Sequence, residues 1–194
     1  MIQQGQTIEN PVTGERMTFL ETTESTGGEY VLVELRAEPG GAVAAAHVHP
    51  SQRERFEVLS GRLAAKVGGR KVEARPGEAL EVPAGIAHTW WNVGDKELVF
   101  RCEVRPALQF ESLIETMFSL AADGKTNKKG MPNPFRLAVI ANAHFDTVRL
   151  PVIPAWLQRV ALAAGAPIGK AMGYGPTYRS ERKQYKPVVA PQAA

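Results

Sequence analysis

GAVAAAHVHPSQRERFEVLSG, residues 41–61, and GEALEVPAGIAHTWWN, residues 77–92, hold three of the four histidines in the chain. His47 and His49 lie two apart in a run that reads as a strand, and residues two apart on a strand project to one face. Glu54 follows five positions after His49, across the Pro50-Ser51 turn. His88 comes just past the Pro83-Ala84-Gly85 turn, at the head of another strand-like run. Three imidazoles and one carboxylate make a nitrogen and oxygen donor set suited to one divalent transition metal: Fe, Mn, Ni, Cu or Zn. On a six-coordinate ion, four protein ligands leave two positions for water, oxygen or a chelating substrate.

Short strand-like runs continue on both sides of these stretches, each stopped by a turn signal. They are Tyr30–Ala37, Val43–Val48, Glu54–Leu59, Leu63–Val67, Lys71–Ala74, Ala79–Val82, Ala87–Val93 and Glu97–Val104. Eight such runs at hairpin spacing predict an all-β sandwich or barrel closed on itself. After Pro106 the period changes. Leu108, Phe110, Leu113, Ile114, Met117, Phe118 and Ala121 are read on one helical face, with Gly124 placed as the stop. Asn133-Pro134 signals a second helix start, with Asn as N-cap and Pro in the first turn. Pro154 opens a third apolar segment, Trp156–Ala164, expected to end at Gly165. The boundaries are therefore residues 1–106 for the β body and 107–194 for a helical extension, its last stretch from about Tyr178 a loose arm.

The spacings carry a resemblance. Gly41, His47, His49, Glu54 and Gly61 match the first cupin motif, and Gly77, Pro83, Gly85, His88 and Asn92 match the second. The chain resembles the cupin superfamily over about residues 30–105. That resemblance implies a double-stranded β-helix, or jelly-roll, cupin barrel followed here by C-terminal α-helices. It also implies a metal inside the barrel on His47, His49, Glu54 and His88, and a homodimer paired through an outer sheet face.

Strand parity from the ligands places Ala45, Phe56 and Trp90 inward, with Phe100 on the opposite wall. These four are the expected lining of a substrate pocket, small at Ala45 and aromatic elsewhere. No inward Arg or Lys stands out as a phosphate clamp, so the expected ligand is a small, largely apolar or aromatic molecule. The expected function is that of a mononuclear metal-dependent oxidoreductase of dioxygenase type. Glu54 is its candidate catalytic residue, acting as a base. The alternatives are a non-enzymatic binding or sensory module and a metal-dependent isomerase. Asn92 is expected to brace a turn, His144 to be structural, and Cys102 to be an inward, inert thiol.

Charge bounds the partners. Residues 1–105 carry a net −3 and residues 106–194 a net +6. The basic run Lys125–Lys129 has no interleaved aromatics, so nucleic acid is not an expected partner. The apolar helices are expected to cover the barrel or a dimer seam, in preference to a membrane-surface contact by Trp156–Tyr174. One cysteine excludes an intrachain disulfide, and the polar start after Met1 shows no signal peptide, so the expected compartment is the cytoplasm.

Overall fold

Val, Leu and Phe alternating with charged residues build the centre of the molecule: β3 (Val31–Ala37), β4 (Arg53–Ser60) and β9 (Leu98–Arg105). The computed structural model describes residues 2–180 and 186–187. Around the centre lie β1 (Gln6–Asn10), β2 (Glu15–Glu21), β5 (Leu63–Val67), β6 (Arg70–Ala74), β7 (Ala79–Val82), β8 (His88–Asn92) and the short β10 (Lys186–Pro187). One antiparallel sheet has the order β10-β1-β2-β3-β9-β4-β7, and a second has the order β6-β5-β8. The ladders thus form two sheets rather than one continuous one.

Register explains the interior. Cys102 of β9 is paired with Val33 on one side and Phe56 on the other, and Phe100 with Leu35 and Val58. Every second residue of the central strands therefore meets its like across the ladder. The rings of Phe56 and Phe100 pack edge to face at 5.6 Å, and Trp90 from the smaller sheet meets Phe100 at 5.0 Å. This aromatic trio fastens one sheet to the other, and each buried ring of this size stabilises the fold by about 1.5–3 kcal/mol.

Two expectations change. Val43–Val48 is not a strand: only Ala42 and His47 bridge to β8, at Trp91 and His88, while Val48 bridges to Arg149. The segment is shared between two neighbours, so neither pairing extends into a ladder. The β1–β2 hairpin was not anticipated; its first strand, Gln6–Asn10, is mostly polar and gives a weak period-2 signal.

The extension holds α1 (Phe110–Ala122), α2 (Pro134–Ala143) and α3 (Ala155–Ala171). Asn133 caps α2 as expected, its side-chain oxygen accepting from the Phe135 amide at 2.9 Å. Helix α3 does not stop at Gly165. A Cβ at Gly165 would sit 3.2 Å from the Cβ of Ala138, and one at Gly169 only 2.4 Å from the Phe135 carbonyl oxygen. These glycines let α3 lie close on α2; they are packing residues, not terminators. A small second core of Leu113, Leu120 and Ile140 joins α1 to α2. Among the described residues, no helix is long and apolar enough to cross a membrane.

Candidate metal centre

Four side chains from three stretches of the chain converge on one point. Glu54 projects from β4, His88 opens β8, and His47 and His49 come from the bridging segment. Two features hold that segment in place. Gly41 leaves no room for a side chain, since a Cβ there would lie 2.9 Å from the Glu38 carbonyl oxygen. Gly85, at φ +78°, turns the chain so that its amide donates to the His49 carbonyl at 2.8 Å. Mutual backbone hydrogen bonds between His47 and His88, at 3.0 and 2.9 Å, then fix their side chains on the same face.

One donor atom from each of the four residues lies within 4.8 Å of the others. His88 Nε2 stands 2.7 Å from one Glu54 oxygen, and His49 Nε2 stands 3.6 Å from the other. His49, Glu54 and His88 are buried, and His47 is partly exposed. The rings of His47 and His88 meet at 4.3 Å and those of His47 and His49 at 4.8 Å.

The far nitrogens of the rings show why they face this way. His47 Nδ1 lies 2.9 Å from the Ala45 carbonyl oxygen, His88 Nδ1 3.0 Å from that of Ile86, and His49 Nδ1 2.6 Å from that of Thr147. A carbonyl only accepts, so each Nδ1 carries a proton and each ring turns its Nε2 inward. Carbonyl partners of this kind orient metal-ligating histidines and set their tautomer.

The electrostatics follow from burial and crowding. Burial holds the His47 pKa down to about 4, helped by His49 and His88 and opposed by Glu54. Burial alone would raise Glu54, but the surrounding imidazoles outweigh it and bring its pKa down to about 2. For His88 burial acts downward, and the Glu54 carboxylate more than reverses it. Despite the 2.7 Å approach, Glu54 Oε2 and His88 Nε2 are not aligned as a hydrogen-bonded pair; together with His49 Nε2 they are buried with no hydrogen-bond partner. An unsatisfied buried polar group costs about 1–3 kcal/mol. Three of them aimed at one point share a single remedy, a cation. The cluster is compatible with a metal ion, and a set of three nitrogens and one carboxylate suits several divalent transition metals.

A cupin-domain family model matches residues 33–104. Residues 33–104 form a cupin domain. Similar solved structures include a predicted oxalate decarboxylase from Thermotoga maritima, 19% identical, TM-score 0.48, covering 55% of this chain and 99% of that one. KdgF from a Halomonas species is 16% identical, TM-score 0.45, covering 50% and 85%. A cupin-superfamily sugar phosphate isomerase from Silicibacter pomeroyi is 24% identical, TM-score 0.43, covering 48% and 60%. No curated protein matches the chain.

The other expected residues fall into clear places. Phe56, Trp90 and Phe100 are at most 5% exposed and pack on one another in the cupin core. Ala45 is partly buried, and its carbonyl serves His47. Asn92 braces a turn: its amide nitrogen donates to Ala37 and Lys96, and its oxygen accepts from Gly94. Cys102 is buried 3.9 Å from Glu54, and burial beside that carboxylate pushes its pKa well above the ordinary thiol value, which keeps it protonated and inert. His144 lies outside the cluster, held by the Ile140 carbonyl and the Ser112 hydroxyl.

Two neighbours of the site went unread in the sequence. Phe110, at the start of α1, brings its ring 6.4 Å from that of His49. The Thr147 carbonyl arrives from 98 residues away. Residues around Thr147 are anchored by the paired backbone bonds of Val48 and Arg149, both 2.9 Å. A main-chain oxygen has no sequence signature, so nothing in residue types could have announced it.

Proposed function

We propose that this cupin is a mononuclear metal enzyme, its ion held by His47, His49, Glu54 and His88, that oxidises a small, largely apolar organic molecule as a dioxygenase does. The observation that carries the proposal is the convergence of imidazole nitrogens and a carboxylate, all within 4.8 Å, with every Nδ1 turned to a backbone carbonyl. When bound, a divalent ion supplies Lewis acidity and, for Fe, Mn, Ni or Cu, a redox couple. The protein supplies orientation and exclusion. The carbonyls of Ala45, Ile86 and Thr147 orient the imidazoles with Nε2 towards the ion. Phe110 and Cys102 flank His49 and Glu54 with apolar bulk that favours an apolar substrate. The surrounding imidazoles hold Glu54 ionised and weakly basic, so it would take a proton from a substrate hydroxyl only where its bond to the ion loosens. The division near Pro106, the pairing into a homodimer and the cytoplasmic setting belong to the same proposal.

The test begins with metal content by mass spectrometry on protein purified without chelator. Wild type is expected to carry close to one equivalent, and His88→Ala less than about a tenth of that, since even residues that only orient a ligand cost 10–100-fold in affinity. Oxygen uptake is then followed with a panel of aromatic and apolar substrates. Uptake matched to substrate loss, and abolished under nitrogen, supports the oxygenase. Turnover that persists under nitrogen assigns the site to non-redox chemistry such as isomerisation. Full metal with no turnover leaves a binding module.

A further inference from the structure

Helix α3 is apolar on both sides. One face, through Gln158, Ala166 and Gly169, is buried. The opposite face is apolar too, yet it is open: Trp156 is 69% exposed, Val160 60% and Ile168 50%. Val152, just before the helix, is 87% exposed and extends the same surface. At 100° per residue, Val160 and Ile168 fall within about a third of a turn of Trp156, so these side chains form one continuous band. Arg159 and Lys170 lie side by side along one border of it. Solvent-exposed apolar residues scattered singly need no explanation, but a contiguous band led by a tryptophan marks a contact surface.

Charge selects what touches it. From Asp146 to Ser180 the chain carries Arg149, Arg159, Lys170 and Arg179 against one acidic residue, Asp146, which pairs with Arg149 at 3.1 Å and Arg159 at 3.5 Å, so four cations less one anion leave a net +3. A second copy laid symmetrically on the band would set two surfaces of the same positive sign against each other. An anionic bilayer surface complements them instead. It accepts the apolar band at the level of its headgroups and acyl chains, where tryptophan partitions well. At 17 residues with a proline inside, α3 lies along such a surface rather than through it.

We propose that the Val152–Met172 face of α3 is an interfacial docking surface for anionic lipid bilayers. The tryptophan and valines enter the membrane boundary, and Arg159 and Lys170 meet lipid headgroups.

The test uses the full chain and two sets of vesicles, one of mixed phosphatidylglycerol and phosphatidylcholine, the other of phosphatidylcholine alone. Wild type is expected to co-float with the anionic vesicles and to bind the neutral ones at least tenfold more weakly. Raising salt from about 0.1 M to about 1 M, which shortens the screening length from about 10 Å to 3 Å, is expected to release most of the bound protein. Trp156 emission is expected to shift to shorter wavelength on binding, a signal that disappears in Trp156→Phe. The double variant Trp156→Ser with Val160→Ser, both at exposed positions, is expected to bind at least tenfold more weakly while keeping the wild-type circular dichroism spectrum and metal content. Wild type that fails to bind anionic vesicles overturns the proposal. So does a concentration-dependent dimer in sedimentation equilibrium that the same double variant dissociates, because the face then belongs to a second copy.

Discussion

The β body and α3 bury their apolar residues by opposite logic. In the body, Phe56, Trp90 and Phe100 meet from two sheets and leave almost no surface to solvent. In α3, Trp156 and Val160 are exposed, and nothing among the described residues covers them. A strand with one partner on each side has its inward face satisfied by the ladder's own register. A helix resting on a single neighbour has only one face covered, and α3 was built apolar on the other as well. The apolar residues of the body are thus covered from within, whereas α3 leaves one apolar face open.

Substitutions can break or sharpen that contrast. Phe100→Ala should lose about 3–5 kcal/mol of stability, since it opens a cavity where three rings interlock. Urea unfolding reads this directly, and a loss below 1 kcal/mol would show that the core is less interdigitated than the ring contacts indicate. A smaller effect is expected at Glu15, which burial holds at a pKa of about 7, against the opposing hydrogen bond from Thr13. Its folded-state pKa is raised above the unfolded value of about 4.5, so its contribution is fully present below pH 4.5 and is lost as pH rises through 7. Wild type should therefore lose on the order of 2–3 kcal/mol across that window relative to Glu15→Gln. Parallel stability curves for the two proteins between pH 4 and 8, followed by urea midpoint, would contradict it.

Asn133→Ala removes the side-chain cap of α2 and should cost about 1 kcal/mol. Because α3 packs on α2, vesicle binding should weaken in step with any loss of helicity. The smallest effect is expected at Trp156→Ala, within about 0.5 kcal/mol of wild type despite deleting the largest side chain in α3. A cost like that of Phe100→Ala would mean that Trp156 is covered in solution by a partner copy.

The same contrast decides what could be read in advance. Gly41, His47, His49, Glu54, Gly85, His88 and Asn92 were legible because their roles depend on residue type and short spacing. The central strands were legible because β3 and β9 alternate sharply. Gln6–Asn10 was not, since a mostly polar segment has no such alternation. The end of α3 was misplaced because Gly165 looks the same whether it ends a helix or lets another helix approach; only the 3.2 Å clearance to Ala138 separates the two. Thr147 was invisible for a third reason: its contribution is a peptide oxygen delivered by tertiary pairing, identical in every residue.

That peptide oxygen has a consequence in time. His49 and Thr147 are 98 residues apart, and a ribosome adding about 5–20 residues per second takes about 5–20 s to make the difference. Throughout that interval the imidazole of His49 has no fixed proton position, and either ring nitrogen can turn towards the cluster. The three-histidine geometry is therefore finished only after translation has passed Arg149 and its strand bridge has closed. Any ion that reached the nascent β body before then would meet an unfinished chelator.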